Sequence, residues 1–157
     1  MTAITDQPKN INLLTDVQFR FDIEKLPATS FMVQNVVIPG MQVQAQQIGV
    51  PMRANFSRNT GVIEYEPFVV TYLVDEYLTN WQELHGWMTK EGGVHSQAVL
   101  TVLSSSMNPT VEVHFQDIFP FTMTELTFDS TAGEPTYIQC SVTFYYKEFT
   151  IKNLLNT

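Results

Sequence analysis

From Val17 to Ile23 the chain alternates strictly, with Arg20 and Asp22 on one side and Phe19, Phe21 and Ile23 on the other, which is the period-two pattern of a half-buried strand. Phe31 to Ile38 is a more continuous apolar run rich in β-branched residues, closed by Pro39-Gly40. It reads as a strand covered on both faces and ending in a turn. Met41 to Ile48 interleaves apolar residues with glutamines until the parity slips at Gln47, where a bulge or strand end is expected. The stretch from Gly49 to Gly61 carries Pro51, Asn55 and Asn59 and few apolar residues, so a long loop or open hairpin is expected there. Alternation returns at Phe68 to Val74, behind Pro67.

One segment switches to helical spacing. Tyr77, Trp81, Leu84 and Met88 recur at i, i+4, i+7 and i+11, predicting a helix over about 76–90 with those four side chains on its packed face. Asp75 is placed to cap its start, Lys90 sits in its last turn, and Gly92-Gly93 supply a stop. Strand patterns then resume at Ala98 to Leu103, Thr110 to Phe115, Glu125 to Phe128 and Tyr137 to Ile151, the last changing parity near Lys147-Glu148 as a bulge would. The sum is a mainly β (α+β) fold, an antiparallel β-barrel or sandwich of seven to eight strands with one flanking helix. The pattern sets aside 1–14 as an arm without consistent period, 15–152 as a single domain and 153–157 as a tail.

Composition narrows the function more than the fold. Only 15% of residues are charged, against roughly 25% in an average globular chain. Asp plus Glu outnumber Lys plus Arg 16 to 8, for a net charge of -8. Scattered basic residues on an acidic chain give no phosphate-gripping groove, so nucleic acid is repelled rather than bound. A thinly charged surface is what remains when neighbouring copies cover it. No run reaches the ~18 apolar residues of a membrane span, and the first residues lack a basic segment leading into an apolar one, so a soluble protein that is not Sec-exported and not inserted in a membrane is expected. The single Cys140 permits no internal disulfide and sits in an alternating run as a small core residue.

Candidate chemistry is thin. His85, His95 and His114 are not spaced as zinc ligands with each other or with Cys140, so no metal and no cofactor is expected. Glu64 and Glu66 offer a carboxylate pair for the acid and base roles of glycoside hydrolysis, but two glutamates on one strand face are more simply a solvated face. Ser104 to Ser106 lacks a nucleophile elbow, and no phosphate-binding glycine loop follows a strand. Trp81 reads as core and Trp87 as its flank. No catalytic residue is expected.

The order of these segments, carried by VQFRFDIEKLP, by FMVQNVVIPG followed by VQAQQIGVPM, by EPFVVTYLVDEYLTNWQELHGWM and by FPFTMTELTFDS and SVTFYYKEF, resembles the tail tube family of contractile-tailed bacteriophages, related in fold to type VI secretion tube proteins. The resemblance covers most of residues 15 to 150. It implies a non-enzymatic virion protein, assembled in the host cytoplasm, that forms hexameric rings. Stacked, these make the hollow inner tube through which DNA passes without specific binding. The partners implied are the sheath protein, baseplate tube-initiator proteins and a tape measure protein in the lumen. Asp22, Glu24, Glu64, Glu66 and Glu112 are the candidates for an acidic lumen, and Arg53, Asn55, Arg58 and Asn59 for contacts between rings. A baseplate tube-initiator ring shares the same pattern. A β-sandwich module that binds a receptor or carbohydrate is the alternative from a different class, and it requires an exposed aromatic platform.

Overall fold

The computed structural model describes residues 13–27, 29–51, 54–90 and 93–155. Among them, nine strands and one α-helix follow in the order β1 (Phe19–Ile23), β2 (Val33–Val37), β3 (Met41–Val50), β4 (Ala54–Tyr65), β5 (Phe68–Leu73), α1 (Thr79–Lys90), β6 (Ser96–Leu103), β7 (Pro109–Met123), β8 (Gln139–Tyr145) and β9 (Glu148–Asn153). Seven strands join one antiparallel sheet in the order β1-β6-β7-β8-β5-β2, with β9 also on β7, while β3 and β4 pair only with each other. The mainly β fold with a flanking helix forms as expected, with more strands than the sequence pattern separates.

The 15 residues of β7 divide the sheet into two halves. Val111–Gln116 lies between β6 and β9, and Phe119–Met123 pairs with β8. Between them the register passes from Ala98↔Phe115 to Ser96↔Ile118, one extra residue on β7, and Asp117 takes φ 52°. This bulge bends the strand out of one half-sheet and into the other. The inward residues of both halves then meet. Phe21, Leu100, Val113 and Phe115 come from one half, and Phe68, Val70, Tyr72, Cys140, Val142 and Phe144 from the other. The Phe68 ring lies 4.4 Å from Phe115 and 5.3 Å from Phe21. Each such ring contributes about 2–3 kcal/mol through burial alone.

Several elements differ from the sequence reading, each for a local reason. Residues Ser30–Met32 form a 3-10 turn, and β2 is an edge strand whose Val37 is exposed, so the run from Phe31 is not covered on both faces. Glu125–Phe128 is not strand, because after Thr124 donates its amide to Ser141 the segment leaves the sheet and Phe128 faces outward. The change of parity near Lys147 is a break between strands. There the chain leaves β8, on the second half of β7, and re-pairs as β9 with the first half.

The helix begins later than its spacing suggests. Leu78 adopts φ 58°, a left-handed conformation that ends a turn over Asp75–Leu78 and sets the start of α1 at Thr79. Its buried side is therefore Asn80, Leu84 and Trp87. Tyr77 is 80% exposed and lies ahead of the helix, Trp81 and Met88 are half-buried, and Trp87 is the core residue, its indole donating to the Val94 carbonyl at 2.7 Å. Asn80 pins the junction: its amide donates to the Leu73 carbonyl at 2.7 Å and its oxygen accepts from the Trp81 amide at 2.9 Å. Asp75 caps from outside the helix, its carboxylate accepting from the Asn80 backbone N–H at 3.3 Å.

Candidate assembly interface

The segment between Gly49 and Gly61 is mostly strand, the returning arm of a long hairpin. β3 has 10 residues and β4 has 12, and none of them is buried. A two-stranded ribbon in water is marginal by itself, so a hairpin of this length is a surface awaiting cover. Its root is tied to the body of the domain. Tyr65 packs on Tyr146 and Phe149 at 5.8 and 5.5 Å, the Tyr146 hydroxyl donates to the Glu66 carbonyl at 2.9 Å, and Glu66 N–H donates to the Gly40 carbonyl at 3.0 Å. A Cβ at Gly40 would stand 2.8 Å from the Glu66 carboxylate, which would have to swing aside to admit it.

The parity slip at Gln47 is real but is not a strand end. The slipped register lies earlier, between Val43 and Ala45, where β4 loops out around Gly61 with φ 78°. Pairing joins odd-numbered residues with odd and even with even, as in Met41↔Tyr65, Val43↔Ile63, Ile48↔Phe56 and Val50↔Ala54. At the root the odd face is apolar and the even face carries Gln42, Gln44 and Glu64, with both glutamine amides donating to the Glu64 carboxylate. Toward the tip the even face becomes apolar, with Ile48, Val50, Ala54 and Phe56, while Asn55, Ser57 and Asn59 share the odd face.

The acidic candidates do not converge on one face. Asp22 and Glu112 share the outer side of the β1-β6-β7-β9 half, but Arg20 binds Asp22 at 2.8 Å, Lys152 stands opposite Glu112, and His114 meets Glu112 at 2.9 Å. That side is close to charge-balanced. Ser30 also donates its hydroxyl to Asp22. Glu24 lies in the turn after β1, and Glu64 and Glu66 are at the hairpin root. Of the inter-ring candidates, Asn55, Arg58 and Asn59 lie on β4, and Arg53 falls outside the described residues.

Open edges accompany the hairpin, since β1, β2 and β9 are each paired on one side only among the described residues. A cluster the sequence reading missed sits on the second half-sheet. His95 stacks on Phe119 at 5.1 Å, and Tyr145 lies 6.1 Å from Phe119 and 4.8 Å from the exposed Phe121. Its signal, the alternation continuing past Phe115 through Phe119 and Phe121, was hidden by the bulge at Asp117.

No group of three or more His, Cys, Asp or Glu able to hold a metal occurs among the described residues, and no helix among them is long and apolar enough to cross a membrane. Hydrogen bonds from Thr131 hold the exposed Asp129 below its ordinary value, and two tyrosines in or beside the core shift the other way. Burial pushes the Tyr72 phenol far up, with Cys140 beside it adding to the effect, and burial together with Tyr65 and Glu66 pushes Tyr146 up to about 12.

No family model matches the sequence. The tail tube terminator protein of Enterobacteria phage T4 is 24% identical over 139 residues, which span 80% of this chain and 79% of that protein. Of solved structures, the baseplate of the anti-feeding prophage, 6-fold symmetrised, contains a chain of TM-score 0.72 at 12% identity, the match covering 91% of this chain and 97% of that one. The tube terminating cap of the same particle gives 0.70 at 11% identity, covering 98% and 99%. The fold is thus shared with chains of the baseplate and of the tube terminating cap of a contractile particle, and the sequence is similar to a tail tube terminator.

Proposed function

We propose that this chain is a ring-forming structural protein of a contractile tail, acting by assembly and not by catalysis, and that its ring closes the end of the tube. The observation that carries the reading is the β3–β4 hairpin, none of whose residues is buried. Together with one-sided strands at β1, β2 and β9 it leaves backbone donors and acceptors that a neighbouring copy would pair. Six copies around an axis join their sheets into one wall, leaving a channel through which DNA passes without specific binding. The terminal position is favoured by the likeness to the T4 tail tube terminator and to a tube terminating cap. There the ring has tube below it and sheath-end proteins beside it, and the tape measure protein lies in the lumen.

A second reading, a repeating tube subunit or a baseplate initiator ring, is favoured by the likeness to a baseplate chain. Mass photometry and negative-stain microscopy of the purified protein separate them. Discrete rings that stop growing with concentration, and that bind the ends of preformed tubes, are expected of a terminator. Open-ended hollow filaments would transfer the assignment to the tube subunit. Monomers at every concentration that also ignore preformed tubes would overturn both.

A further inference from the structure

A groove of about 600 Å3 lies where the β5–β8 ladder ends and the Val74 N–H donates to the Ile138 carbonyl at 3.0 Å. Met32 from the 3-10 turn, Leu78 from the turn over Asp75–Leu78, and Phe128 and Tyr137 from the segment ahead of β8 line it. Both turns are closed by backbone hydrogen bonds, Leu78 N–H to the Asp75 carbonyl and Met32 N–H to the Thr29 carbonyl, each at 3.0 Å. The groove is therefore formed before anything enters it, which spares a ligand the entropy of ordering its walls.

Its surface is aromatic and open. Tyr137 is 89% exposed, Phe128 73%, and Tyr77, within the same turn as Leu78, 80%. Aromatic side chains gathered so openly around one concavity mark a binding surface. The surrounding charge has one sign: residues 71–80 and 124–138 carry Asp75, Glu76, Glu125, Asp129 and Glu134 and no Lys or Arg. Asp75 also lines an adjoining pocket of about 250 Å3 with Thr79 and Asn80, so a carboxylate stands where the apolar trough passes into a polar one.

An aromatic groove with acidic borders fits an extended protein segment, its apolar side chains against Tyr137 and Phe128 and its Lys or Arg toward Asp75 and Glu76. A saccharide fits less well, because its hydroxyls need polar partners and Leu73, Val74, Leu78 and Ile138 offer none. A second copy holds no such segment, since its eight Lys and Arg lie at least five positions apart. We propose that this groove docks a different protein, through an extended segment in which apolar residues are flanked by closely spaced Lys or Arg. The site is separate from the hairpin and stands whether or not the chain forms rings.

The test selects binders to the full chain from a library of random displayed peptides. Enriched sequences are expected to combine apolar residues with closely spaced Lys or Arg. The strongest of them, as a free fluorescent peptide, should bind about tenfold more weakly to Glu76→Lys and to Tyr137→Ser, with the unfolding midpoint fixed in both. Selection on Glu76→Lys should lower the basic content of the enriched peptides. No enrichment, enrichment without basic residues, or binding that Tyr137→Ser leaves intact would overturn the proposal. Peptide binding lost once the chain assembles would give the groove to a neighbouring copy, and Tyr137-dependent binding to an oligosaccharide array without peptide binding would give it to a saccharide; either result also overturns it.

Discussion

In β5 and β8 every second side chain is buried against the opposite half-sheet, whereas in β3 and β4 not one residue is. Both regions are antiparallel, regular and rich in apolar residues. The difference is where the covering surface comes from. The sheet supplies its own second layer by bending β7 at Asp117, and the hairpin has none. Stability therefore resides in the sheet, and the proposed association in the hairpin, so substitutions should separate the two properties cleanly.

The largest expected effect tests the sheet. Phe68→Ala empties the centre of the contact with Phe21 and Phe115 and should cost ~3–5 kcal/mol in denaturant unfolding. A cost under about 1 kcal/mol would mean that the two halves do not depend on each other. Next comes the helix junction, where Asn80→Ala strands the Leu73 carbonyl and loosens α1, at ~1–3 kcal/mol, readable as a lower thermal midpoint.

Alkaline titration comes third. Tyr72 and Tyr146 have pKa values raised above the ordinary 10.0, so the folded state favours their neutral forms. Their contribution is fully present below pH 10 and is lost as pH rises, for Tyr146 through about 12. Since the only polar group beside the buried Tyr72 hydroxyl among the described residues is the weakly bonding Cys140 thiol, Tyr72→Phe should leave stability at pH 7 unchanged or higher and make the alkaline loss shallower. The smallest stability effect belongs to the hairpin. Phe56→Ser should move unfolding by less than ~0.5 kcal/mol while weakening assembly, and a core-sized loss would erase the contrast between the two regions.

How much of this was legible in the sequence follows the same division. Where the chain buries itself, as at Phe19–Ile23, Phe68–Leu73 and Gln139–Tyr145, the alternation in the sequence is the alternation in the fold. Where the chain does not cover itself, as in β3 and β4, the pattern has no intrachain counterpart. β4 looked like loop because Asn55, Ser57 and Asn59 share a strand with Phe56, and the looped-out stretch around Gly61 shifts its pairing with β3. The helix was found, but its packed stripe was rotated by one position, since Tyr77 continues the helical spacing backward through a turn that Leu78 breaks. The acidic candidates failed to converge for another reason. Composition reports how many carboxylates there are, and the register alone reveals that Arg20, Lys152 and His114 stand among them on one face.

The single strand shared by both halves of the sheet also governs how the molecule opens. Because β7 carries the ladders to β6 and β9 on one stretch and to β8 on the next, and the two halves bury one common core, losing either half strips the other of its cover. Backbone amides from Val111 to Gln116 should therefore exchange with deuterated solvent only when the whole domain lets go, reporting the global unfolding free energy, while amides of the hairpin exchange through local fluctuations long before.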